Sequence, residues 1–375
     1  MGMGKKVYIA VTNDLVTDNR VHKVAQTLLK SDAEIILLGA KKSYNTPVGK
    51  RPYSTRRFAM VFKKGVFFYA EYNIRLFLFL LFRKFDIIVS NDLDTLPASY
   101  CAGKLRGKKI VYDSHEFFTE VPELVNRNFP RRVWLLIERL ILPRLKHAYT
   151  VSTSIAETYN RLYKIQMEVI QNVPLFNDNA NDSPETKTEQ KIILYQGSLN
   201  VGRGLEQMIN AMQFIDNAHF KIIGDGDIVQ QLEQQIKEKA LEKKVTIKGR
   251  MPFQELPAET SKADLGIALE ENIGLNYYYA LPNKLFDYIQ AGVPVLVSPF
   301  PEMQKIVNQY EIGTVYDHKD AKMLAQKIDE IFELKNRYQQ WQRNTQKAAK
   351  DLCWEKQEET LINIYTKAGL QFMHK

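Results

Sequence analysis

The sequence predicts an α/β protein made of two doubly wound parallel sheets. Short apolar runs rich in β-branched residues alternate with amphipathic helical segments at the spacing of βαβ units. This alternation occurs twice, on either side of a polar stretch, and 375 residues leave room for two such domains. Ligands of doubly wound sheets bind at the carboxyl ends of strands, so polar and glycine residues that follow strands are the candidate functional residues.

In the first half, a strand predicted at 7–11 leads into a helix whose apolar stripe is Val21, Val24 and Leu28. A longer helix further on is expected to bury one apolar stripe, formed by Val133, Leu136, Ile137, Leu140 and Ile141. The other strands predicted in this half cover residues 34–39, 85–90, 109–112 and 148–153. Together they predict the first sheet.

Residues 176–191 are polar and lack any apolar period, which predicts a linker between the domains. The alternation then starts again. Strands are predicted at 192–197, 219–224, 245–249, 263–269 and 295–297. The repeated pattern predicts a second sheet of the same kind.

A short helix is predicted over 282–291, with Pro282 in its first turn and Gly292 at its carboxyl end. Its core face is expected to carry Leu285, Phe286 and Ile289. Lys284 and Asp287 share another face with Tyr288. A cation and a carboxylate one turn apart near a helix start could hold a phosphate and a sugar hydroxyl, and an ordinary exposed ion-paired face is the alternative.

Three other strand ends carry candidate residues. His115 follows the strand at 109–112, where a histidine can exchange hydrogen bonds near neutral pH or serve a structural role. Gly197 and Arg203 lie in a loop whose glycines permit close approach to phosphate, or simply form a flexible turn. After the third strand end come Gly224, Asp225, Gly226 and Asp227. These residues predict a tight turn, which either contacts a nucleotide or is a plain turn.

Composition narrows the function classes. A net charge of +9 suits nucleic acid, anionic lipid or a phosphorylated substrate, but the chain has no recognisable nucleic-acid module. The two cysteines are far apart and the six histidines are scattered, so we expect a reducing cytosolic compartment and no metal site. Asp92 and Asp94 are expected to lie in a loop or helix cap. The absence of a nucleophile elbow argues against that class of hydrolase.

Residues 61–85 combine lysines and arginines with many aromatic residues. A buried helix with a basic flank is one interpretation, and an interfacial patch for an anionic membrane is the other. The most apolar run, residues 76–82, is well short of the roughly 20 residues that span a bilayer.

The ordered motifs resemble those of glycosyltransferase family 4. They are SNDLDTLP, VYDSHE, YQGSLNVGRGLEQMINAM, IIGDGD, VTIKGRMP, ADLGIAL and YALPNKLFDYIQAGVPVLVS, with a tryptophan-containing helix near the carboxyl terminus. The resemblance implies a GT-B fold, in which two Rossmann-like domains face a cleft. It also implies that domain 1–175 is completed by a helix within 352–375 and that domain 190–351 binds the nucleotide-sugar donor.

The resemblance assigns roles to the residues that match its motifs. His115 is expected to contact the donor sugar near the reacting centre rather than act as a simple base. Arg203 and Lys284 are expected to hold the donor diphosphate beside the loop that begins at Gly197. Asp287 takes the place of the acid that binds the ribose, and the turn of Gly224, Asp225 and Gly226 is expected to lie close to the base.

Three positions depart from the family pattern. Ser198 stands where an arginine often follows the first glycine, which leaves more of the phosphate charge to Arg203 and Lys284. Tyr279 stands where the family has its first acid, and Glu270 and Glu271 lie further upstream. The first loop, residues 12–20, lacks the glycine pair that many members carry.

The resemblance implies a retaining transferase that moves a hexosyl or N-acetylhexosaminyl group from a UDP- or GDP-linked donor. The expected acceptor is lipid-linked or a polysaccharide of the cell envelope, and no metal or cofactor is expected beyond the nucleotide sugar. The expected location is the cytoplasm, at the inner membrane face through residues 61–85. The alternatives are a sugar-nucleotide epimerase of similar fold and a catalytically silent partner subunit that binds nucleotide sugar.

Overall fold

The computed structural model describes residues 4–16, 18–41, 47–176, 190–317 and 320–372. The chain divides into two compact units, one formed by Met1–Asn172 with Lys356–Lys375 and the other by Val173–Glu355. The linker predicted at 176–191 lies almost entirely outside the described residues.

The first unit contains a seven-stranded parallel sheet in the order β3-β2-β1-β4-β5-β6-β7. Its strands are β1 Lys6–Ala10, β2 Glu34–Lys41, β3 Ser54–Ala59, β4 Ile87–Asn91, β5 Lys109–Ser114, β6 His147–Thr150 and β7 Glu168–Val169. Its helices are α1 Asn19–Leu28, α2 Gly65–Phe82, α3 Asp92–Leu105, α4 Pro122–Val125, α5 Asn128–Ile141 and α6 Thr153–Tyr163. The last helix, α15 Trp354–Lys367, lies in this unit from Lys356 onward.

The second unit contains a six-stranded parallel sheet in the order β10-β9-β8-β11-β12-β13. Its strands are β8 Lys191–Gln196, β9 Ala218–Ile223, β10 Val245–Ile247, β11 Leu265–Ala268, β12 Val295–Val297 and β13 Gly313–Val315. Its helices are α7 Leu205–Ala211, α8 Val229–Glu238, α9 Leu256–Thr260, α10 Leu275–Tyr278, α11 Asn283–Gln290, α12 Pro301–Tyr310, α13 Ala321–Glu333 and α14 Lys335–Asp351. The prediction of two parallel sheets is confirmed.

Three strands are absent from the sequence prediction, namely β3, β7 and β13. The first, with sequence STRRFA, is mostly exposed and polar because it forms one edge of its sheet. The other two have only two and three residues and also lie at sheet edges. These three edge strands lack the continuous apolar run of strands buried on both faces, so the pattern does not predict them.

Helix α1 buries its predicted stripe, but the prediction for α5 is wrong. Of the five stripe residues Ile141 is buried as predicted and Ile137 is half-buried, but Val133, Leu136 and Leu140 are exposed. Helix α5 turns Glu138 inward instead. The environment explains the reversal, because hydroxyl groups face the buried carboxylate. Tyr163 donates to Glu138 at 2.8 Å, and Thr119 and Tyr159 donate at 3.3 Å.

Helix α11 is held against the sheet by Tyr288, which the sequence analysis placed with Lys284 on an open face. Both side chains are buried. The Tyr288 hydroxyl lies 3.1 Å from the carbonyl oxygen of Leu194 and 3.2 Å from that of Ile267. A Cβ at Gly266 would lie 2.4 Å from the Tyr288 ring, so glycine is required on β11 for the helix to approach this closely. This packing places Lys284 inside the second unit.

Among the described residues, one helix, α2, has the length and apolar composition of a membrane span. Four of its side chains, Phe68, Tyr72, Leu76 and Leu80, are nevertheless buried in the core of the first unit. The helix therefore forms one layer of the α/β domain and leaves its other face exposed.

We predict that Glu138→Gln stabilises the protein at alkaline pH. Burial raises the pKa of Glu138 to about 7 from its ordinary value of 4.5, despite the three hydroxyl donors. The folded state therefore loses stability as the pH rises from 4.5 through 7, because it must hold an ionised carboxylate that the unfolded chain exposes to water. Glutamine carries no charge, its oxygen can accept from Tyr163 and Thr119, and its amide nitrogen can donate to the Tyr159 hydroxyl oxygen. The gain in unfolding free energy at pH 8 should therefore be about 1–3 kcal/mol.

Urea unfolding at pH 5 and pH 8 measures this difference. Glu157→Gln, at an exposed position on α6, is the matched control and should leave the pH dependence unchanged. A Glu138→Gln protein with the same pH dependence as the wild type would contradict the interpretation.

Candidate functional site

Three loops lie side by side at the carboxyl edge of the second sheet, after β8, β9 and β10. The Gly197 amide donates to the carbonyl of Ile223 at 3.0 Å, and the Gly224 amide donates to that of Gly249 at 2.9 Å. A Cβ at Gly224 would lie 1.8 Å from the Gly197 carbonyl oxygen, so only glycine permits this contact.

These loops enclose a cavity of about 540 Å³. Its lining includes the predicted donor-site residues Gly197, Gly224, Asp225 and Gly226. Ser198, Asp227, Arg250, Met251 and Leu256 complete much of the wall. The cavity has the size of a small-molecule site and is lined mainly by backbone and polar groups.

A buried carboxylate beside these loops gathers two cations. Glu270 follows β11 and is 2% exposed. The Lys284 ammonium donates to its Oε1 atom at 2.6 Å, and Arg203 Nη1 lies 3.7 Å from the same oxygen. The cluster holds two positive charges against one negative charge, so its net charge is positive in a site with little water to screen it.

Aromatic rings hold both cations. Lys284 Nζ lies 4.3 Å from the centroid of the Tyr195 ring, and Arg203 Cζ lies 4.5 Å from that of Tyr277. The faces of such rings attract cations. The rings therefore help to fix the positions of the two cations.

The cluster retains unused hydrogen-bonding capacity. Within the described part of the chain, Arg203 Nε and Glu270 Oε2 are buried and have no hydrogen-bond partner. The Lys284 side chain also runs beside Gly197, since a Cβ at that glycine would lie 3.5 Å from Lys284 Cε. The two cations are thus adjacent to the glycine-lined cavity, and an anion bound there could use them.

Asp287 lies at a neighbouring cavity of about 350 Å³. It accepts a hydrogen bond from Gln196 Nε2 at 2.9 Å, and Thr260 Oγ1 donates to Gln196 Oε1 at 2.7 Å. This relay orients the Asp287 carboxylate. Leu256 lines both cavities, so the ribose-site candidate adjoins the cavity of the glycine loops.

Tyr279, in place of the family's first acid, is half-buried and its ring lies 5.5 Å from that of Tyr278. The sequence analysis set Glu270 aside because it lies too far upstream to replace that acid. The signal available for Glu270 was its position just after β11, a strand that is buried along its whole length. Residues at such positions form the ligand-binding edge of a parallel sheet.

In the first unit, His115 lies between two carboxylates at the carboxyl edge of the sheet. Its Nε2 atom lies 3.2 Å from Asp113 Oδ2 and 3.2 Å from Asn91 Oδ1, and its Nδ1 atom lies 3.4 Å from Asp92 Oδ2. The His115 amide also donates to Asp92 Oδ1 at 2.7 Å. Both ring nitrogens therefore face acceptors, as an imidazolium requires.

Arg20 completes the charge network from α1. Its guanidinium binds Asp113 through Nη2 at 2.7 Å and through Nε at 3.2 Å, and donates from Nη1 to the carbonyl of Ile170 at 2.8 Å. Arg20 is 3% exposed and the Asp113 side chain is fully buried. The network holds two cations and two carboxylates, so its charges balance.

Electrostatics fixes the charge states in this network. Burial alone would lower the pKa of His115, but Asp92 and Asp113 raise it to about 10. Burial would raise the pKa of Asp113, but Arg20 and His115 lower it to about 2. Burial raises the pKa of Asp92 to about 6 against the opposing effect of His115. At neutral pH His115 is a cation and not a proton acceptor.

The sequence analysis missed three members of this network, Arg20, Asp92 and Asp113. It expected Asp92 to lie in a loop or cap, whereas Asp92 is the first residue of α3 and has a φ of +57°. That value is unusual for a residue other than glycine and marks local strain. The signal available for Asp113 was that the motif DSHE has an acid on each side of His115, namely Asp113 and Glu116.

Two family models match the chain in sequence. The model described as Glycosyltransferase Family 4 matches residues 18–173, and that described as Glycosyl transferases group 1 matches residues 177–348. Together they account for most of the chain. None of the curated proteins matches it.

Solved structures share the fold along nearly the whole chain. Sucrose-phosphate synthase from Thermosynechococcus elongatus is 17% identical with a TM-score of 0.80, over 97% of this chain and 98% of its own. Anabaena Alr3699/HepE in complex with UDP-glucose is 14% identical with a TM-score of 0.75, over 97% and 100%. WaaG, a glycosyltransferase involved in lipopolysaccharide biosynthesis, is 13% identical with a TM-score of 0.70, over 96% and 99%. These likenesses establish the GT-B fold.

We predict that Asp92→Asn lowers the pKa of His115 by about one pH unit or more, because a neighbouring carboxylate that stabilises the imidazolium is removed. An NMR titration of the His115 ring signals, assigned with a His115→Gln variant, measures the change. Asp94→Asn is the matched control, since Asp94 lies on the same helix and accepts from Thr12 at 2.6 Å. An unchanged pKa in Asp92→Asn would contradict the network.

Proposed function

Because the chain belongs to glycosyltransferase family 4, we propose that it transfers a hexosyl or N-acetylhexosaminyl group from a UDP- or GDP-linked donor. The proposed acceptor is a lipid-linked sugar or a polysaccharide of the cell envelope, and the anomeric configuration is retained. The observation that carries this proposal is the cluster of Arg203, Glu270 and Lys284 beside a glycine-lined cavity.

The arrangement of the second unit supports a nucleotide-sugar donor. Arg203 and Lys284 bind the diphosphate, and amides at the start of α11 add positive potential. Asp287, oriented by Gln196, binds the ribose hydroxyls. The turn from Gly224 to Gly226 contacts the base. The Anabaena structures that hold UDP or UDP-glucose favour uridine among the candidate bases.

Lys284 supplies the positive charge that the loop lacks because it has Ser198 in place of the family's arginine. Its side chain comes from α11, and it reaches Gly197, the residue before Ser198. A cation from another element can neutralise the same phosphates, because Coulomb attraction depends on distance and not on chain position.

Transfer breaks the bond between the sugar C1 atom and the diphosphate oxygen, and a bond from the acceptor hydroxyl oxygen to C1 replaces it. The proton of that hydroxyl passes to the departing diphosphate oxygen. The diphosphate leaves with the bonding electron pair, so negative charge grows where Arg203 and Lys284 lie. Preorganised cations at the site of developing charge stabilise the transition state. Neither step requires a metal in this proposal.

His115 acts as a fixed cation toward the donor sugar. Its two ring nitrogens are engaged by Asp92, Asp113 and Asn91, so abstraction of the acceptor proton is not its role. We assign it to contacts with the sugar near the reacting centre. This role agrees with the buried, charge-balanced network around it.

The protein acts at the cytoplasmic face of a membrane in this proposal, where residues 61–85 contact anionic lipid. Exposed lysines at 63 and 64 precede α2, and exposed Arg83 and Lys84 follow it. A lipid-linked acceptor is available at such a surface.

A catalytically silent subunit that binds nucleotide sugar is the second candidate. It is favoured by Tyr279 and Ser198, which replace an acid and a basic residue of the family pattern. The two candidates differ in turnover and not in donor binding.

We predict that Arg203→Ala and Lys284→Ala each weaken UDP-glucose or GDP-mannose binding by about 10- to 100-fold, because each removes a charge-assisted contact to the diphosphate. Isothermal titration calorimetry measures the change. Lys244→Ala, which removes a lysine paired with Asp216 on the surface of the same unit, is the matched control. Unchanged donor binding in both variants would contradict the diphosphate assignment.

We predict that the purified protein transfers radiolabelled sugar to a lipid extract of the cell envelope when supplied with the donor that stabilises it most in a thermal-shift panel. Arg203→Ala should reduce this transfer. Donor binding without transfer to any lipid or polysaccharide acceptor would contradict the enzyme and support the silent subunit.

A further inference from the structure

Glu270 lies at the point where the strand order of the second sheet reverses. From β8 the chain continues to β9 and β10 on one side of the sheet, and it then crosses to β11 and β12 on the other. Strands β8 and β11 are paired neighbours, so the loops that follow them meet at this switch point. Ligands of doubly wound sheets bind in the crevice at such a point. Glu270 comes just after β11 and is therefore placed to contact a ligand.

The backbone around Glu270 is held from two sides. The Glu271 amide donates to the carbonyl of Gly202, in the loop after β8, at 2.9 Å. The Ser298 hydroxyl, just after β12, donates to the carbonyl of Glu270 at 2.6 Å. These contacts fix the position of the carboxylate before a ligand binds, as a preorganised binding site requires.

The two oxygens of the Glu270 carboxylate have different surroundings. Its Oε1 atom meets both cations of the cluster, the Lys284 ammonium at 2.6 Å and Arg203 Nη1 at 3.7 Å. Its Oε2 atom is buried and accepts no hydrogen bond from any residue that the structure describes. A buried acceptor without a donor costs free energy, more so when it carries charge. A ligand that brings an N–H or O–H group to Oε2 therefore gains affinity.

The donor diphosphate does not meet this requirement. Its oxygens are acceptors and carry negative charge, so they repel a carboxylate oxygen. They are matched instead by the Lys284 ammonium and by the buried Nε–H of Arg203, which has no partner in the described part of the chain. In the proposed arrangement Asp287 binds the ribose hydroxyls. The remaining O–H donors of a nucleotide sugar belong to the transferred sugar, which is bonded directly to the diphosphate.

We propose that Glu270 binds a hydroxyl of the donor sugar through Oε2 and thereby helps to determine which sugar is accepted. The inference rests on the proposed function and deepens it, because Tyr279 stands at the position where the family pattern has an acid. Oε1 holds the two cations beside the diphosphate, and Oε2 accepts from the sugar. A sugar without this hydroxyl leaves a buried carboxylate oxygen unpaired and binds more weakly.

Isothermal titration calorimetry with deoxy sugar nucleotides tests the assignment. The probes are UDP-glucose, UDP-N-acetylglucosamine and GDP-mannose, with the monodeoxy analogues of whichever binds most tightly. These analogues carry the same charge as their parent, so they report the removed hydroxyl alone. Removal of one particular hydroxyl should weaken binding to the wild type by about tenfold or more. Removal of the same hydroxyl should weaken binding to Glu270→Gln by about threefold or less, because the carboxylate that it met is gone.

Two further variants complete the experiment. Glu206→Gln is the matched control, since it removes a carboxylate of the same unit whose Oε1 atom accepts from Gln231 on α8 at 3.5 Å. It should keep the sensitivity of the wild type to the hydroxyl. Glu270→Asp keeps the charge but withdraws it by one methylene, and it should lose the sensitivity. Circular dichroism identifies the folded variants, and Glu270→Asp carries the test if Glu270→Gln does not fold.

The same loss of affinity on deoxygenation in the wild type and in the folded Glu270 variants would overturn the proposal, because Glu270 would then only hold the cations. A wild type that is indifferent to removal of each sugar hydroxyl would overturn it too. In both cases the nucleotide sugar still binds, so the proposed function stands. Binding of none of the three nucleotide sugars would contradict the proposed function itself, and this inference with it.

Discussion

Both units are organised around a carboxylate removed from water at the carboxyl edge of a parallel sheet. A buried carboxylate is costly unless a cation and hydrogen bonds meet it. Asp113 is met by Arg20 and His115, and Glu270 by Lys284 and Arg203. The two clusters differ in net charge. Asp92 adds a second carboxylate to the first cluster, which is neutral, whereas the second cluster has one excess positive charge. The neutral cluster fixes a histidine, and the positive one is suited to attract an anion.

The same requirement explains why most of the apolar stripe of α5 faces solvent. Glu138 lies inside because three hydroxyl groups receive its carboxylate, and the apolar stripe is consequently turned outward. One buried acid therefore changes the outer surface of the first unit.

The donor-site candidates show how departures from a family pattern can be accommodated. Ser198 cannot supply a cation, but Lys284 reaches the same loop from α11 because Tyr288 holds that helix close to β11. Gly266 makes this approach sterically possible. The positive charge beside the cavity thus depends on Gly266 and Tyr288, although neither residue lines the cavity.

The sequence by itself determined the two parallel sheets, the carboxyl-edge positions of His115, Arg203 and Lys284, and the glycine turn at Gly224, because periodicity and strand ends are local properties of the chain. Three edge strands, β3, β7 and β13, escaped prediction because they are short or polar and lack a continuous apolar run. Only the tertiary structure decided the partners of these residues. Asp92, Asp113 and Glu270 pair with cations on other elements of the fold. The orientation of α5 likewise depends on hydroxyl groups from other elements. No local pattern encodes such pairings, because they depend on which segments the fold brings together.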